Sequence, residues 1–483
     1  MAGERGNRRN LLKELFSNGP GRIGLILLAF LSITAIIVAV TYPRDFGSAR
    51  WGNPAYWADN PRSVPPSWMN AFTRTRLFRH RRFSETTATT ETAGARAFVR
   101  TYDFPIEFTA DEPPNFISIS MREFVFGARP PIILGRLIRP DETDILLFRD
   151  VVSGPRPGDS APYTRHGEEP LRFVLNGDGT AGESLAAVYE TTYDTVLTSE
   201  RRRDMFEALL FGRAEDGVVR ALHGSYILRI EVTTVAEDDT VAEITSVFGG
   251  SVFGAMGTDA LGRDLAIGLL FGLPVALVIG LSTSTVSTFI GTSLGLVSGY
   301  VGGRTDTVIQ RAADIVANIP VLPLLIFLVF IGGSQLWIIL LVLVAFSWPG
   351  LTIMVRTMVL QLKSGQEVEA AVSLGASKAR IIVRHVFPHT ASYIFAQLVF
   401  FAPSAVLAEA GLSFLGLGDP SIPTWGQILE HGFRTGAVFL GYWWWVIPPG
   451  LLIVLTAVTF MFIALGMEPV IDPRLKGARS WRS

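Results

Sequence analysis

Hydrophobic and polar positions are distributed along this chain on two different scales. Ile23 to Val40 is an uncharged apolar run, long enough to span about 27 Å as a helix. Further runs of this kind lie at Leu273 to Val301, about Val321 to Ile331, Leu336 to Met354, Ile394 to Leu412, and from the Pro448-Pro449-Gly450 turn to about Leu465. The third run is short unless it begins near Ile315. Trp348-Pro349-Gly350 predicts a kink in the fourth. Gly332-Gly333-Ser334-Gln335 reads as a tight uncharged turn between them. In the second run Gly291, Gly295 and Gly299 recur every four residues, a stripe that lets helix backbones approach closely in lipid.

Residues 44 to about 248 have another texture, with no apolar run of span length. Short β-type segments recur at Phe116 to Ser120, Ile132 to Leu137, Ile145 to Phe148, Arg172 to Leu175 and Ser225 to Val232. Turn signals such as Asn176-Gly177-Asp178-Gly179 separate them. Ser199 to Phe211 reads as one helix, capped by Ser199 and Glu200. About 200 residues suffice for a domain with its own core. The pattern predicts an α-helical polytopic membrane protein of six transmembrane helices carrying an inserted β-rich α+β domain. Its parts are 1–43 (N-terminus and first span), 44–248 (the insert, entered through the Trp- and Pro-rich segment Trp51 to Trp68) and 249–483 (the remaining spans). A signal peptide competes for the first run, but Tyr42-Pro43-Arg44 is no small-residue cleavage site, and an uncleaved span is the reading adopted.

Composition narrows the function classes. The chain has 483 residues, 49% hydrophobic and 18% charged, with a mean hydropathy of +0.36, which fits a membrane protein diluted by a soluble part. A net charge of −1 gives no reason to expect a nucleic-acid partner. Cysteine is absent, which removes disulfides and thiolate metal sites. His80, His166 and His223 are scattered, so no metal site is expected in the insert. Neither a Gly-x-x-x-x-Gly-Lys-Ser/Thr phosphate loop nor a His-Glu-x-x-His motif occurs. No residue is assigned bond chemistry, and the protein reads as a non-enzyme. If ATP drives it, another chain binds the ATP and its Mg.

Basic residues orient the spans. Arg5, Arg8, Arg9, Lys13 and Arg22 precede the first run, Lys378, Arg380 and Arg384 lie between the fourth and fifth, and Arg474, Lys476, Arg479 and Arg482 follow the last. The turn at Gly332 has none. This bias places both termini and the 366–388 loop in the cytoplasm and residues 44–248 outside it. The 366–388 loop reads as a helix of good formers up to Leu374, an interruption at Gly375, a second helix capped by Ser377, and a stop at Pro388. On these features alone an ordinary basic cytoplasmic loop fits equally well.

The order Glu369-Ala370-Ala371, Gly375 four residues on, then Pro388 behind an apolar pair resembles the coupling loop of ABC importer permeases. Gly257-Thr258-Asp259-Ala260-Leu261-Gly262-Arg263-Asp264 reads physically as a capped turn in which Arg263 and Asp264 can pair. As a sequence it resembles a hallmark of the dipeptide, oligopeptide and nickel subfamily. So do Leu412 to Gly418 followed by Pro420, Pro423, Thr424, Trp425 and Gly426, and the closing Asp472-Pro473-Arg474-Leu475. Where relatives continue with two more basic positions, this chain has Gly268 and Pro274. Asp306 and Asp314 with Arg304 and Arg311 suggest a charge network near the cytoplasmic surface. Trp443-Trp444-Trp445 suggests an interfacial aromatic anchor.

The resemblance implies the type I ABC importer fold and one transmembrane subunit of an ATP-driven importer of di- and oligopeptides. It implies a homologous second permease subunit, two ABC ATPase subunits and an extracytoplasmic solute-binding protein. Glu369, Ala370, Ala371, Gly375, Ala376, Ser377, Arg380 and Pro388 would face the ATPase. Thr258, Asp259, Arg263, Asp264, Glu409 and Trp425 would lie at the outer mouth or along the path. Glu409 is an ionisable residue in a span, and simple access to water at the span's end is its competing reading. The same machinery importing oligosaccharides or nickel is one alternative. A membrane-anchored enzyme or sensor working through the insert is another. The insert itself reads as a structural or docking appendage, and one that docks or orients the binding protein is a specific form of that expectation.

Overall fold

The computed structural model describes residues 18–43, 45–85, 88–92 and 97–471. The basic residues Arg5, Arg8, Arg9, Lys13, Arg474, Lys476, Arg479 and Arg482, and the closing Asp472-Pro473-Arg474-Leu475 segment, lie outside the described residues. Contacts divide the chain into two compact units, Met1–Pro54 with Leu265–Ser483, and Ala55–Asp264.

The first unit is helical. Among the described residues five helices are long and apolar enough to cross a bilayer: Gly19–Thr41, Leu265–Val301, Leu336–Lys363, Lys378–Phe414 and Trp443–Met467. The remaining apolar stretch forms a bent pair, Gly303–Asn318 and Val321–Gly332, with an angle of 78° between its halves. Six spans are therefore reached only by counting that pair as one. Ile319 and Pro320 cause the break. Pro320 pushes the preceding residue out of the helical region, and Ile319 is extended at φ −73°, ψ 126°. Val321–Gly332, with 12 residues, is about 18 Å long and falls short of a bilayer by itself.

Small residues set the packing of this unit. The Leu265–Val301 and Leu336–Lys363 helices meet along Gly291, Gly295 and Gly299. A Cβ on Gly295 would stand 2.8 Å from both the Thr352 carbonyl oxygen and Val355 Cβ. Gly24 lets the first helix close on the last in the same way, its missing Cβ falling 2.7 Å from the Ile463 nitrogen. The opposite faces stay apolar: Ile26, Phe30, Ile33 and Ile37 of the first helix are exposed, as lipid-facing positions are. Trp444 and Trp445 do not form a surface anchor. Both are buried, and Trp445 Nε1 donates to the Ile428 carbonyl at 3.1 Å.

The second unit is strand-rich, as the alternating segments imply. One antiparallel sheet runs Thr89–Thr92, Phe98–Phe108, Gly224–Thr234, Ile132–Ile138, Asp144–Val151. A second runs Arg81–Glu85, Thr240–Gly249, Phe116–Phe126, with Tyr163–Arg165 and Leu171–Val174 both beside Phe116–Phe126, and Gly212–Glu215 with Val218–Ala221 forms a small third. Alternation along Phe98–Phe108 puts Tyr102, Phe104, Ile106 and Phe108 inward. They share one core with Ile119, Met121 and Phe124 of the second sheet and with Leu185 and Tyr189 of the Thr180–Tyr193 helix. The stretch expected as one helix is two, Ser199–Asp204 and Phe206–Leu210. Met205 at φ −123° breaks it, and the cap is Thr198, which accepts from the Arg201 N–H.

His80 is half-buried beside the Phe253 ring, with its Nδ1 buried and unpaired. Burial holds its imidazole down at about 4; Asp59 pulls it upward and Arg82 adds to the lowering. The unfolded chain takes up this proton near pH 6.5, whereas the folded unit refuses it until about 4. The associated stability is thus full above pH 6.5 and is lost as pH falls toward 4. Hydrogen exchange of Arg81–Glu85, corrected for intrinsic rate, is expected to show local stability falling by roughly 1–2 kcal/mol from about pH 7 to about pH 5, and His80→Phe should remove most of that slope. In the helical unit, Gly295→Val is expected to cost about 1–3 kcal/mol through overpacking. It should lower the melting temperature in mild detergent, whereas Gly350→Val, where a Cβ meets nothing within 4 Å, should not.

Candidate functional site

The 366–388 loop is built from two helix ends. Gln366–Ser373 carries Glu367 and Glu369 in its first turn, where the helix dipole favours acids. Val368 and Ala371, three apart, turn inward to a cluster with Tyr300, Val355 and Val359. Gly375, at φ +76°, ends the helix in the left-handed region that glycine enters without strain. Its N–H donates to the Val372 carbonyl at 2.9 Å, and the Ala376 N–H to the Ala371 carbonyl at 3.0 Å. That pair of bonds is a Schellman cap, which accounts for the four-residue spacing from Ala371 to Gly375. Ser377 then caps the next helix by accepting from the Arg380 N–H.

The chain does not stop at Pro388. Lys378–Ile381 passes through a wider turn at Ile382–Val386 into Phe387–Phe414. Pro388 sits in the first turn of that helix, where its missing N–H leaves no bond unmade. Glu369, Ala370, Gly375, Ser377, Arg380 and Pro388 are exposed, Ala376 is half-buried and Ala371 is buried. Leu374 is 88% exposed, with Val372 and Val383 also bare. His389 Nε2 lies 2.8 Å from Glu367 Oε2, tying the first short helix to the start of the Phe387–Phe414 helix.

Next to the loop's supporting cluster lies an ion pair. Arg356 Nε and Nη2 donate to Asp306 Oδ1 and Oδ2 at 2.5 and 2.6 Å. Ser298 Oγ donates to the same carboxylate at 2.5 Å, and Gln310 Nε2 donates to Ser298 Oγ at 3.0 Å. Three helices meet in this clamp: Leu265–Val301, Gly303–Asn318 and Leu336–Lys363. The expected partners Arg304 and Arg311 do not take part. They stand two and five residues from Asp306, off its helix face, and are exposed.

At the other end of the helical unit Glu409 is 2% exposed, so it does not reach water. Ser413 Oγ donates to Glu409 Oε1 at 2.6 Å. Trp425 is equally buried, and its Nε1 donates to the Leu269 carbonyl at 2.9 Å. Gly272 makes room for it, since a Cβ there would come within 2.8 Å of Trp425 Cδ1. Thr424 caps Trp425–Arg434 by accepting from the Gln427 N–H.

The 257–264 turn belongs to the other unit by contacts. Thr258, Asp259 and Arg263 are buried and Asp264 is half-buried. Asp259 Oδ1 accepts from the Leu261 and Arg263 N–H groups, and Arg263 Nε pairs with Asp259 Oδ2 at 2.5 Å. Arg263 thus pairs with Asp259, four residues back. Thr258 Oγ1 accepts from the Val64 N–H, and Asn60 Nδ2 donates to the Gly262 carbonyl at 2.9 Å. Among the described residues no three His, Asp or Glu side chains converge as a metal site.

The family described as "Binding-protein-dependent transport system inner membrane component" matches residues 291–477, which take in both the ion-pair clamp and the 366–388 loop. The chain is 34% identical over 221 residues to the "Dipeptide transport system permease protein DppC" of Bacillus subtilis (strain 168), covering 46% of this chain and 68% of that protein. It is 35% identical over 219 residues to the "Oligopeptide transport system permease protein OppC" of Haemophilus influenzae, covering 45% of this chain and 70% of that one. The chain belongs to the binding-protein-dependent transport permeases. The OppC of Bacillus subtilis is 32% identical over 221 residues, covering 46% and 72%. A chain of the solved structure "Inward facing conformations of the MetNI methionine ABC transporter: CY5 SeMet soak crystal form" superposes with a TM-score of 0.33 at 20% identity, over 43% of this permease and 97% of that chain, too low a score to equate them.

Two residues of these contacts, Arg356 and His389, stand out little in the sequence. Arg356 is a lone cation inside an apolar run, and its partner lies 50 residues earlier. His389 is joined to the loop by Glu367, 22 residues earlier.

The clamp yields a test. Arg356→Met leaves Asp306 without its counter-charge and is expected to cost about 2–4 kcal/mol, read as a lower melting temperature in mild detergent. Arg356→Met with Asp306→Leu should recover more than half of that loss. Additive losses in the double variant would show that the two side chains are not coupled.

Proposed function

We propose that this chain is one transmembrane subunit of an ATP-driven importer of short peptides, with both termini and the 366–388 loop in the cytoplasm. Its relatives are permease components of dipeptide and oligopeptide transport systems, which supports the peptide cargo. A second homologous permease subunit, two ATPase subunits with ATP and Mg, and an extracytoplasmic solute-binding protein complete the machine. The bias of Lys and Arg toward the 366–388 loop and the two termini supports the orientation. The Ala55–Asp264 unit then lies outside the cytoplasm, and long translocated segments are exempt from that bias.

One observation carries the coupling role. The 366–388 loop buries Val368, Ala371, Ile381 and Val386 against its own helices and presents Leu374 bare at its tip. An apolar side chain 88% exposed at a rigid capped turn fits a groove on another protein. A push on that tip is carried two ways. The Schellman cap and the Glu367–His389 contact pass it to the Phe387–Phe414 helix, and the buried cluster passes it to Leu336–Lys363. Closure of an ATPase dimer would thereby tilt spans as rigid bodies, the step alternating access requires. Glu369, Ala370, Gly375, Ser377 and Arg380 frame the tip; Ala371 and Ala376 shape it from within, and Pro388 starts the helix behind it.

At the outer end the Trp425–Leu269 bond holds the outer loop on the spans, beside the buried Glu409. Thr258, Asp259, Arg263 and Asp264 form a closed turn just before Leu265. Glu409 and Trp425 belong to the proposed outer mouth.

The test uses the whole complex in mild detergent. Leu374→Asp should abolish co-purification of ATPase activity, more than tenfold, while the second permease subunit and the melting temperature remain as in wild type. Glu369→Lys with Gly375→Arg should do the same. Full ATPase recovery with either variant would overturn the coupling role.

A further inference from the structure

The Ala55–Asp264 unit holds a cleft that the transport reading does not use. Its volume is about 260 Å³, and Asn70, Arg76, Arg79, Arg81, Glu107 and Thr109 line it. The sequence from Arg74 to Arg82 carries Arg74, Arg76, Arg79, Arg81 and Arg82. Strand geometry sorts them. Arg79 bridges to Val252 and Arg81 opens the Arg81–Glu85 strand, so these two, at i and i+2, point to one face. His80 and Arg82 point to the other.

Three arginines and a single acidic residue, Glu107, therefore line the cleft. Among the described residues, Arg76, Arg79 and Arg81 make no side-chain hydrogen bond or ion pair. Arg76 is fixed by its backbone, which donates to Asp111 Oδ2 at 2.7 Å and accepts from the Asp111 N–H at 2.8 Å. Other arginines of this unit do pair with carboxylates, as Arg229 does with Asp103 and Arg136 with Asp144. A surplus of unpaired guanidiniums around a cleft of this size suits a phosphate-type oxyanion, which arginine binds with paired donors.

Two further observations choose the source of that phosphate. The short helix Ser67–Ala71, which supplies Asn70 to the cleft, also carries Trp68, and Phe72 follows it. These rings lie edge to face at 6.0 Å, and Phe72 is 81% exposed. Bare aromatic rings beside arginines are the composition of a bilayer interface. The same helix is bonded to the chain just before a span: Ser67 donates from its N–H to the Gly254 carbonyl and Trp68 Nε1 donates to the Ala255 carbonyl, shortly ahead of Leu265.

We propose that the Arg76–Arg79–Arg81 cleft binds the headgroup phosphate of an anionic phospholipid, with Trp68 and Phe72 entering the acyl boundary beside it. The contact fastens the Ala55–Asp264 unit to the bilayer surface. It needs only a membrane and is independent of cargo and ATPase.

The test follows hydrogen exchange of residues 70–82 in the full-length chain in a mild nonionic detergent. Short-chain phosphatidylglycerol, the matching phosphatidylcholine and inorganic phosphate are titrated separately. Phosphatidylglycerol is expected to slow exchange there at least threefold and phosphatidylcholine to do little. Arg79→Gln with Arg81→Gln should lose the protection while exchange in Phe98–Phe108 stays unchanged. If that core strand is disturbed, wild type decides, because the protection must weaken at high salt. Equal protection by inorganic phosphate overturns the lipid as ligand. Equal protection by phosphatidylcholine, persistence in the variant, or no protection by any of the three overturns the site. Protection that appears only on adding an acidic protein partner does so as well.

Discussion

The closest constraint in the helical unit is backbone approach between Leu265–Val301 and Leu336–Lys363. In lipid no hydrophobic force draws two apolar helices together, so contact rests on shape and on the few polar groups available. Gly291, Gly295 and Gly299 supply the shape. They leave room for Leu351, Thr352, Val355 and Val359, and Thr352 Oγ1 donates across the seam to the Gly291 carbonyl at 3.1 Å. The 366–388 loop rests on this seam. Val355 and Val359 are also the floor on which Val368 and Ile381 of the loop rest, and Arg356, between them, closes the clamp on Asp306.

This arrangement makes one body of parts distant in sequence. A helix pair locked by small residues cannot slide without meeting a backbone carbonyl. The loop seated on it inherits that rigidity. Rigid support suits the proposed coupling role, because an element that yields under load passes on less of the movement it receives. The Schellman cap at Gly375 and the unbroken helical path from Lys378 to Phe414 serve the same end.

Much of this was legible in the residues. Long uncharged runs announced the helices, because a bilayer admits little else, and alternation announced the strands. The spacing of Ala371 and Gly375 was visible as a motif, and its geometry explains it as a cap. What stayed hidden involved partners far apart in the chain. Phe98–Phe108 carries Pro105 in its middle, which argues against an interior strand, and polar Thr245 and Ser246 interrupt the apolar pattern of Thr240–Gly249. Thr180–Tyr193 hid behind the turn at Gly179, although Ala181, Leu185 and Tyr189 repeat every four residues. The break at Met205 and the passage through Pro388 were misjudged for one reason. Local propensity names the residues that disturb a helix and does not say whether the neighbouring turn adjusts to them. Glu409 and Trp425 were noticed for their type, but their burial follows from Ser413, Leu269 and Gly272, which no single run of sequence joins.

The Ala55–Asp264 unit begins and ends at nearly the same point, since Asn60 is bonded to the Gly262 carbonyl and Ser63 to the Asp259 carbonyl. A domain whose two ends meet has a simple evolutionary history open to it. It can enter an existing loop between two spans in a single genetic insertion, because the loop's flanks need not move apart to receive it. The ancestral transmembrane body would have gone on folding, and the new domain would have been free to diverge under its own selection.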